Sequence, residues 1–503
     1  MVRYRNMNRK KKKQEALSGE AEIMTDQTGK TDTDSQCIST AQEYLDALGE
    51  QIENAHARAA IRKEIGNHIE EQTEDYLKDG MTPQAAAAEA VRQMGDPVRT
   101  GQELNRIHRP QFPVLLFGIT AALTVFGIFM QSLLFPEVAG EEWTADYLRN
   151  TLLYNAIGIA VILFLLYGNY MKLVKWVYVL LGCFVAAGFL EGMLRGGTII
   201  LASRNLLDHV GYQATYQNLY FLWILYPVLY TCLLYRLRTW GWKLILLLHG
   251  MTLAVICLLG IYTNCAPGML ESMILTTAIL FLAVGRGILK GSKKVLYGLA
   301  SLPVFAGILF GVSLCLKTVV GVGSYRDDYL IARMQSFFAA LTGKATTGVD
   351  YIRSTLLTDL HAFSIFGGNG AAMPDVLAHD SLTVYMIHSI FRYLGIAVGV
   401  VVVLALVVFA CYALHISLRQ SNRAALLLGS VCSMSILLRI AVDVLVNFGF
   451  GIYYTVSIPF LAYGLGNCLV NSVMVGIILC VFRNSNVMME EMEGKTFERT
   501  ESN

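Results

Sequence analysis

Residues 392–414 read RYLGIAVGVVVVLALVVFACYAL, and the only charged side chain in this segment is the arginine that opens it. A helix needs about 20 mostly apolar residues to cross the hydrocarbon core of a membrane. Nine further segments are similarly apolar: 112–135, 151–168, 173–194, 219–235, 242–262, 270–285, 295–316, 425–448 and 459–482. The sequence therefore predicts an all-α polytopic membrane protein with ten transmembrane helices.

The charged residues are distributed unevenly along the 503 residues. The whole chain is 54% hydrophobic and 16% charged, whereas an ordinary soluble domain is about 25% charged. Residues 1–110 hold 16 basic and 19 acidic side chains, and residues 111–482 hold 35 charged side chains in all. This composition excludes a disordered chain and a small disulfide-rich domain. It predicts a water-facing head, a membrane domain over 112–482 and a polar cytoplasmic tail over 483–503.

The short segments between spans give the orientation. Residues 168–175, 235–243, 285–294 and 415–423 hold eleven basic side chains and no acidic one. The segments on the other side, including the long loop 317–380, hold eight basic and twelve acidic side chains. Because basic residues favour the cytoplasmic side, we expect both termini in the cytoplasm and loop 317–380 outside the cell.

The head divides into two parts. We expect residues 1–37 to be a basic, disordered arm and linker. The seven basic residues within 1–13 favour an anionic lipid surface over nucleic acid. Residues 38–108 predict a cytoplasmic three-helix prefix domain. Its helix stop signals are Gly80 and Gly95, and Thr82-Pro83 is typical of a helix start.

Two pairs of polar residues lie within or beside the spans at helical spacing. Arg439 and Asp443 share a helix face and can pair; the pair either locks the packing or lines a substrate cavity. His388 and Arg392 have the same spacing. Residues 381–414 are too long for one upright span, so we expect the first turns to lie at the outer surface.

Loop 317–380 is the longest connection between spans, which favours a function for it. Its arginines could hold phosphate groups. We expect its remaining acids to be solvated; they are Asp327, Asp328, Asp359 and Asp375.

Several motifs resemble the SEDS family of bacterial shape, elongation, division and sporulation proteins (FtsW, RodA and SpoVE). Residues 458–467, IPFLAYGLGN, are similar to the family's Pro-Phe-Ile-Ser-Tyr-Gly-Gly-Ser-Ser segment, and residues 442–449 to its Ile-Asn-Ile-Gly-Val-Asn-Met-Gly segment. Weaker similarities follow in order through the loop, at 333–338, 348–354, 366–370 and 379–380. The head resembles the helical prefix domain found before some Gram-positive permeases.

This resemblance implies a peptidoglycan glycosyltransferase in the cell membrane of a Gram-positive bacterium. It implies lipid II as the lipid-linked substrate, a transpeptidase of the penicillin-binding type as partner, and a divalent cation, Mg²⁺ or Mn²⁺, at the pyrophosphate. The residues carried over as substrate-binding are Arg333, Arg353, His379, Asn447, Tyr463, Arg439 and Asp443.

The chain departs from the family at the expected catalytic aspartate, where Gly343 and Lys344 stand. Three interpretations stay open: Asp350 replaces the base, the alignment is shifted across an insertion, or polymerase chemistry is lost. The alternatives to an enzyme are a scaffold or regulator of a cell-wall synthesis complex and a flippase for lipid-linked precursors.

Overall fold

The structure is a computed structural model, and it describes residues 41–139, 144–202, 211–263, 266–320, 351–368, 373–378, 381–450 and 457–485. Within these ranges the regular structure is helical, without a strand. The chain divides into two compact units, one built from the head and the other containing all the long apolar helices. The all-α fold class that the apolar segments predict is confirmed.

The head contains four helices, one more than the sequence predicts: α1 (Ala41–Glu50), α2 (Ala55–Lys78), α3 (Pro83–Met94) and α4 (Pro97–His108). The predicted stops are in place, because Gly80 and Gly95 both have positive φ. The additional helix, α4, begins at Pro97, two residues after the stop at Gly95. Proline suits the first turn of a helix, where its missing N–H costs nothing.

Ten long helices coincide with the ten predicted spans. They are α5 (Val114–Ala139), α6 (Thr144–Leu166), α8 (Val177–Ala202), α9 (Gly211–Arg236), α10 (Trp242–Thr263), α11 (Ala266–Gly285), α13 (Leu302–Val320), α17 (Ile396–Leu418), α18 (Arg423–Asn447) and α19 (Leu465–Arg483). Among the described residues, six are long and apolar enough to cross a membrane by length and composition, namely α5, α6, α11, α17, α18 and α19. The protein is thus a multi-pass membrane protein.

Five shorter α-helices and two 3-10 turns, Arg238–Trp240 and Leu360–Ala362, complete the described helices. The α-helices are α7 (Met171–Lys175), α12 (Lys293–Ala300), α14 (Tyr351–Asp359), α15 (Asp375–Ala378) and α16 (Met386–Leu394). Helices α14 and α15 belong to the long loop that the sequence places outside the cell.

The segment 381–414 is broken, as its length suggests. Helix α16 ends at Leu394, Gly395 has φ +90°, and α17 begins at Ile396. A Cβ at Gly395 would lie 2.8 Å from the backbone oxygen of Ile365. The neighbouring backbone pairs with the loop, because Ile396 N–H donates to Ser364 O at 2.9 Å and Gly367 N–H donates to Leu394 O at 3.1 Å. The break therefore anchors residues 364–367.

Helix α18 lies at the centre of the membrane domain. It packs against α17 and α19, and α19 runs along α6. In the most apolar 18-residue stretch of α18, 72% of the residues are buried, whereas in the corresponding stretch of α6 only 17% are. Asn422 caps the N-terminus of α18, because the side chain accepts hydrogen bonds from the Ala424 and Ala425 amides. A buried central helix is where a polar residue needs a protein partner, and α18 carries six buried polar residues: Ser430, Ser433, Ser435, Arg439, Asp443 and Asn447.

Candidate functional site

Asp359, at the end of α14, lies beside two residues of α16. His388 Nε2 is 2.8 Å from Asp359 Oδ2, and Arg392 Nη1 forms an ion pair with Asp359 Oδ1. The spacing of His388 and Arg392 places both side chains on one face of α16. Asp359 is 8% exposed and the other two less. We call these three residues the Asp359 cluster.

The prediction that Asp359 is a solvated loop acid is wrong. The i,i+4 spacing of His388 and Arg392 was visible in the sequence. Their partner lies 29 and 33 residues earlier, and no local pattern identifies it. Two basic side chains on one helix face were the available signal that a carboxylate from another segment pairs with them.

The ionisation of Asp359 reflects two opposing effects. Burial raises the pKa of a carboxyl group because it penalises the charged form. The hydrogen bonds and positive charges of His388 and Arg392 outweigh burial and hold the pKa of Asp359 below its ordinary value. Asp359 is therefore an ionised partner in an ion-pair cluster, and a poor candidate for a general base.

Asn447, the last residue of α18, connects this cluster to the membrane helices. Its Oδ1 accepts the backbone N–H of His388 at 2.9 Å, and its backbone oxygen lies 3.1 Å from His388 Nδ1. Its Nδ2 donates to the backbone oxygen of Val384 at 3.0 Å. Both ring nitrogens of His388 thus face oxygen acceptors.

The predicted ion pair between Arg439 and Asp443 is absent from the described contacts. Arg439 instead reaches α19 and the segment before it: Nη1 donates to Asn471 Oδ1 at 2.6 Å, and Nη2 donates to Asn467 Oδ1 at 2.7 Å and to the backbone oxygen of Ser457 at 2.8 Å. Asp443 Oδ2 accepts a hydrogen bond from Asn447 Nδ2 at 3.2 Å. Three oxygens across the helix interface hold the guanidinium, so the carboxylate one turn away is not needed.

Tyr463 lies in the turn before α19. Its ring stacks on Tyr147 with centroids 4.1 Å apart and lies 5.7 Å from the Tyr154 ring. Its backbone N–H donates to Leu382 O at 2.8 Å. Phe460 in the same turn has φ +69°, a conformation that is uncommon for a residue with a side chain.

A small, partly open pocket lies beside this turn, between α5, α6 and α19. We call it the α6–α19 pocket. Its polar lining residues are Thr124, Gln131, Thr151, Tyr154, Asn155, Tyr463, Asn467, Asn471 and Ser472. Asn467 and Asn471 are the residues that Arg439 holds, so the Arg439 contacts form the back of one pocket wall.

The structure describes the predicted site residue Arg353, but it does not describe four other predicted site positions. The Arg353 side chain on α14 is 1% exposed, and its Cγ lies 3.8 Å from a Cβ built on Gly449. Arg333, Asp350 and His379, together with the Gly343-Lys344 position, lie outside the described residues. The structure brings together Asn447 and Asp443, and separately Arg439 with the pocket that Tyr463 lines.

The expected divalent cation stays a prediction, because the described residues include only part of the long loop. They contain no group of three or more His, Cys, Asp or Glu residues that could hold a metal ion. In the Asp359 cluster the carboxylate is already paired with a guanidinium, which repels a cation.

No family model matches the chain, and no curated protein matches it. Some solved structures do match this chain. One is a chain from work titled "Structural coordination of polymerization and crosslinking by a peptidoglycan synthase complex", with 16% identity and a TM-score of 0.50 over 74% of this chain and 98% of that chain. The chain has a SEDS-type fold. An alanine mutant of the rod-shape-determining protein RodA of Thermus thermophilus is also similar, with 14% identity and a TM-score of 0.45 over 74% of this chain and 97% of that chain.

Two sequence motifs contribute several of the polar residues at these sites. The two best-matching motifs, 442–449 and 458–467, supply Asn447, Asp443, Asn467 and Tyr463. Sequence reasoning missed Asn471 and Asp359. Asn467 and Asn471 are spaced i,i+4 in an apolar helix, and that spacing was the signal for a polar contact across α18 and α19.

Proposed function

We propose that this chain is a membrane protein of bacterial cell-wall synthesis that binds a lipid-linked peptidoglycan precursor, lipid II, on its outer side. The observation that carries the proposal is the buried polar network around Asn447, which joins α14, α16 and α18 within a SEDS-type fold. This network places the Arg353-bearing helix of the long loop beside the membrane helices. A membrane-proximal site with an arginine suits a ligand that carries both a lipid tail and a pyrophosphate.

Polymerisation of this precursor needs a carboxylate to deprotonate the attacking sugar hydroxyl. Asp359 is a poor base because both of its oxygens are paired. Asp443 is fully buried among helices. Asp350 lies one residue before α14 and near the position of the missing family aspartate, and we assign it the role of a replacement base.

The activity test uses purified full-length protein with labelled lipid II. We expect glycan polymer from the wild type and none from Asp350→Ala. Asp146→Ala is the matched control. Asp146 is exposed and paired with Arg149 on α6, and it lies outside the loop that contains Asp350. Polymer from Asp350→Ala at the wild-type rate would contradict the assignment of the base.

A second candidate function is a scaffold or regulator without polymerase chemistry. Gly343 and Lys344 at the position of the family's catalytic aspartate favour it. In this case Asp350→Ala complements a deletion strain as well as wild type does. Co-purification from membranes would then recover a penicillin-binding transpeptidase equally with wild type and with Asp350→Ala. Loss of complementation at normal protein level excludes the scaffold role.

A further inference from the structure

The α6–α19 pocket has a neutral lining. Of the residues that line it, none is charged, and nine present amide or hydroxyl groups. A phosphate or carboxylate placed there would lose its water without gaining a counter-charge, which costs several kcal/mol. The pocket therefore selects against the pyrophosphate of the proposed precursor and favours an uncharged ligand.

Arg439 lies behind this wall, and its guanidinium already has hydrogen-bond partners. Arg439 directs its guanidinium at the side-chain oxygens of Asn467 and Asn471 and at Ser457 O. Asn467 Nδ2 donates in turn to the backbone oxygens of Ile458 and Ala462, at 3.2 and 2.9 Å. This fixes the orientation of both amides, so the wall is organised before any ligand arrives.

The opposite wall is also fixed. Gln131 Nε2 donates to Leu461 O at 2.7 Å, and Thr151 Oγ1 donates to Gln131 Oε1 at 3.3 Å. A Cβ at Gly127, on the same helix as Gln131, would lie 2.2 Å from Phe460 O. Only glycine allows α5 to approach the turn this closely. The pocket is thus a rigid, polar depression within an apolar bundle.

Two amides retain hydrogen-bonding capacity toward a ligand. Asn155 Nδ2 donates once, to Thr151 O at 2.8 Å, and Asn471 Nδ2 donates once, to Asn467 Oδ1 at 3.0 Å. A carboxamide nitrogen has two N–H groups, so each keeps a second N–H without a partner among the described residues. The tilted rings of Tyr154 and Tyr463 add apolar faces with polar tips. Amide donors beside aromatic faces suit a sugar ring.

The flank of the pocket is apolar and exposed. Ile159, which lines the pocket on α6, is 46% exposed, and Leu152 and Leu153 on the same helix are more than half exposed. In a membrane-spanning helix such side chains face lipid. A headgroup in the pocket would therefore keep its acyl chain in the bilayer against α6.

We propose that the α6–α19 pocket binds the uncharged sugar headgroup of a glycolipid. Asn155 and Asn471 donate hydrogen bonds to the sugar hydroxyls, and the acyl chain lies along the exposed face of α6. The site is separate from the proposed precursor site, whose ligand is anionic. Failure of lipid II binding or polymerisation leaves this prediction unchanged.

The test is native mass spectrometry of the full chain released from a sugar-free detergent. The probes are octyl glucoside, octyl glucuronide, which differs by one carboxylate, and free glucose, which lacks the tail. We expect the glucoside to be retained about tenfold more than the glucuronide, and free glucose to be bound at least as weakly. Equal retention of the glucuronide overturns neutral recognition, and equal binding of free glucose overturns the lipid assignment.

Variants locate the site. Asn155→Leu removes a polar group from a half-buried position, and we expect about a tenfold loss of glucoside retention. Ile159→Trp fills the open flank from the outside and provides a second variant if the first does not fold, which melting temperatures report. Thr276→Val on α11 is the control, because Thr276 is buried and outside the pocket. Unchanged retention in both pocket variants, or equal loss in the control, overturns the proposal.

Discussion

The Asp359 cluster shows how a single carboxylate can hold a loop to a membrane domain. Asp359 faces two groups, His388 on one oxygen and Arg392 on the other, and both lie on α16. Removing the carboxylate would leave Arg392 buried without its counter-charge. Loss of one partner of a buried ion pair is strongly destabilising. The exposed pair of Asp146 and Arg149 on α6 offers the contrasting case, worth less than about 1 kcal/mol.

We predict that Asp359→Asn lowers the free energy of unfolding by about 3 kcal/mol near neutral pH. The pKa of Asp359 is depressed in the folded state, so its contribution is present above the unfolded pKa of about 3.9 and is lost as pH falls through the folded pKa. The wild type should therefore lose stability below about pH 4 more steeply than the variant. Unfolding in detergent from pH 7 to pH 3 measures this. A variant as stable as Asp146→Asn at neutral pH would contradict it.

At the scale of elements, the break between α16 and α17 depends on one glycine. Gly395 has φ +90° and ψ 165°, a region that residues with a side chain essentially avoid. We predict that Gly395→Ala destabilises this junction by about 1–3 kcal/mol. The effect should be local, so hydrogen exchange of the Ile396 and Ala397 amides, which donate to the loop, is the measurement.

Gly118→Ala is the matched control for this variant. Gly118 lies within α5, and a Cβ there has no neighbour within 4 Å. Alanine favours a helix over glycine, so the control should leave exchange at Ile396 and Ala397 unchanged. Faster exchange in the control, or no change in Gly395→Ala, would show that the junction does not depend on this backbone conformation.

The elements and the contacts between them differ in how far the sequence predicts them. Apolar length predicts ten spans because burial in lipid is a property of each segment alone, and all ten coincide with long helices. Arg439 shows the opposite case. Its i,i+4 neighbour Asp443 is the partner that local spacing predicts, whereas the actual partners lie on another helix. Side-chain partners across helices depend on packing, which no single-segment pattern contains.

At the scale of the whole molecule, the orientation in the membrane remains a prediction from loop charge. We expect alkaline phosphatase fused within residues 321–350 to be active and a fusion after Asn503 to be inactive, because basic inner loops hold their side in the cytoplasm. A fusion after Lys175, in an inner loop that holds two lysines, is the inactive control. Phosphatase activity after Asn503 would invert the orientation or change the number of spans.

The contacts of Arg439 also set an order for membrane insertion. A charged residue at the centre of a helix costs about 3 kcal/mol on entering the bilayer alone. The amides that accept its hydrogen bonds lie 28 and 32 residues later in the chain, and so leave the ribosome after α18. Stable integration of α18 should therefore wait for α19. The last two helices would leave the translocon together, as a preassembled hairpin.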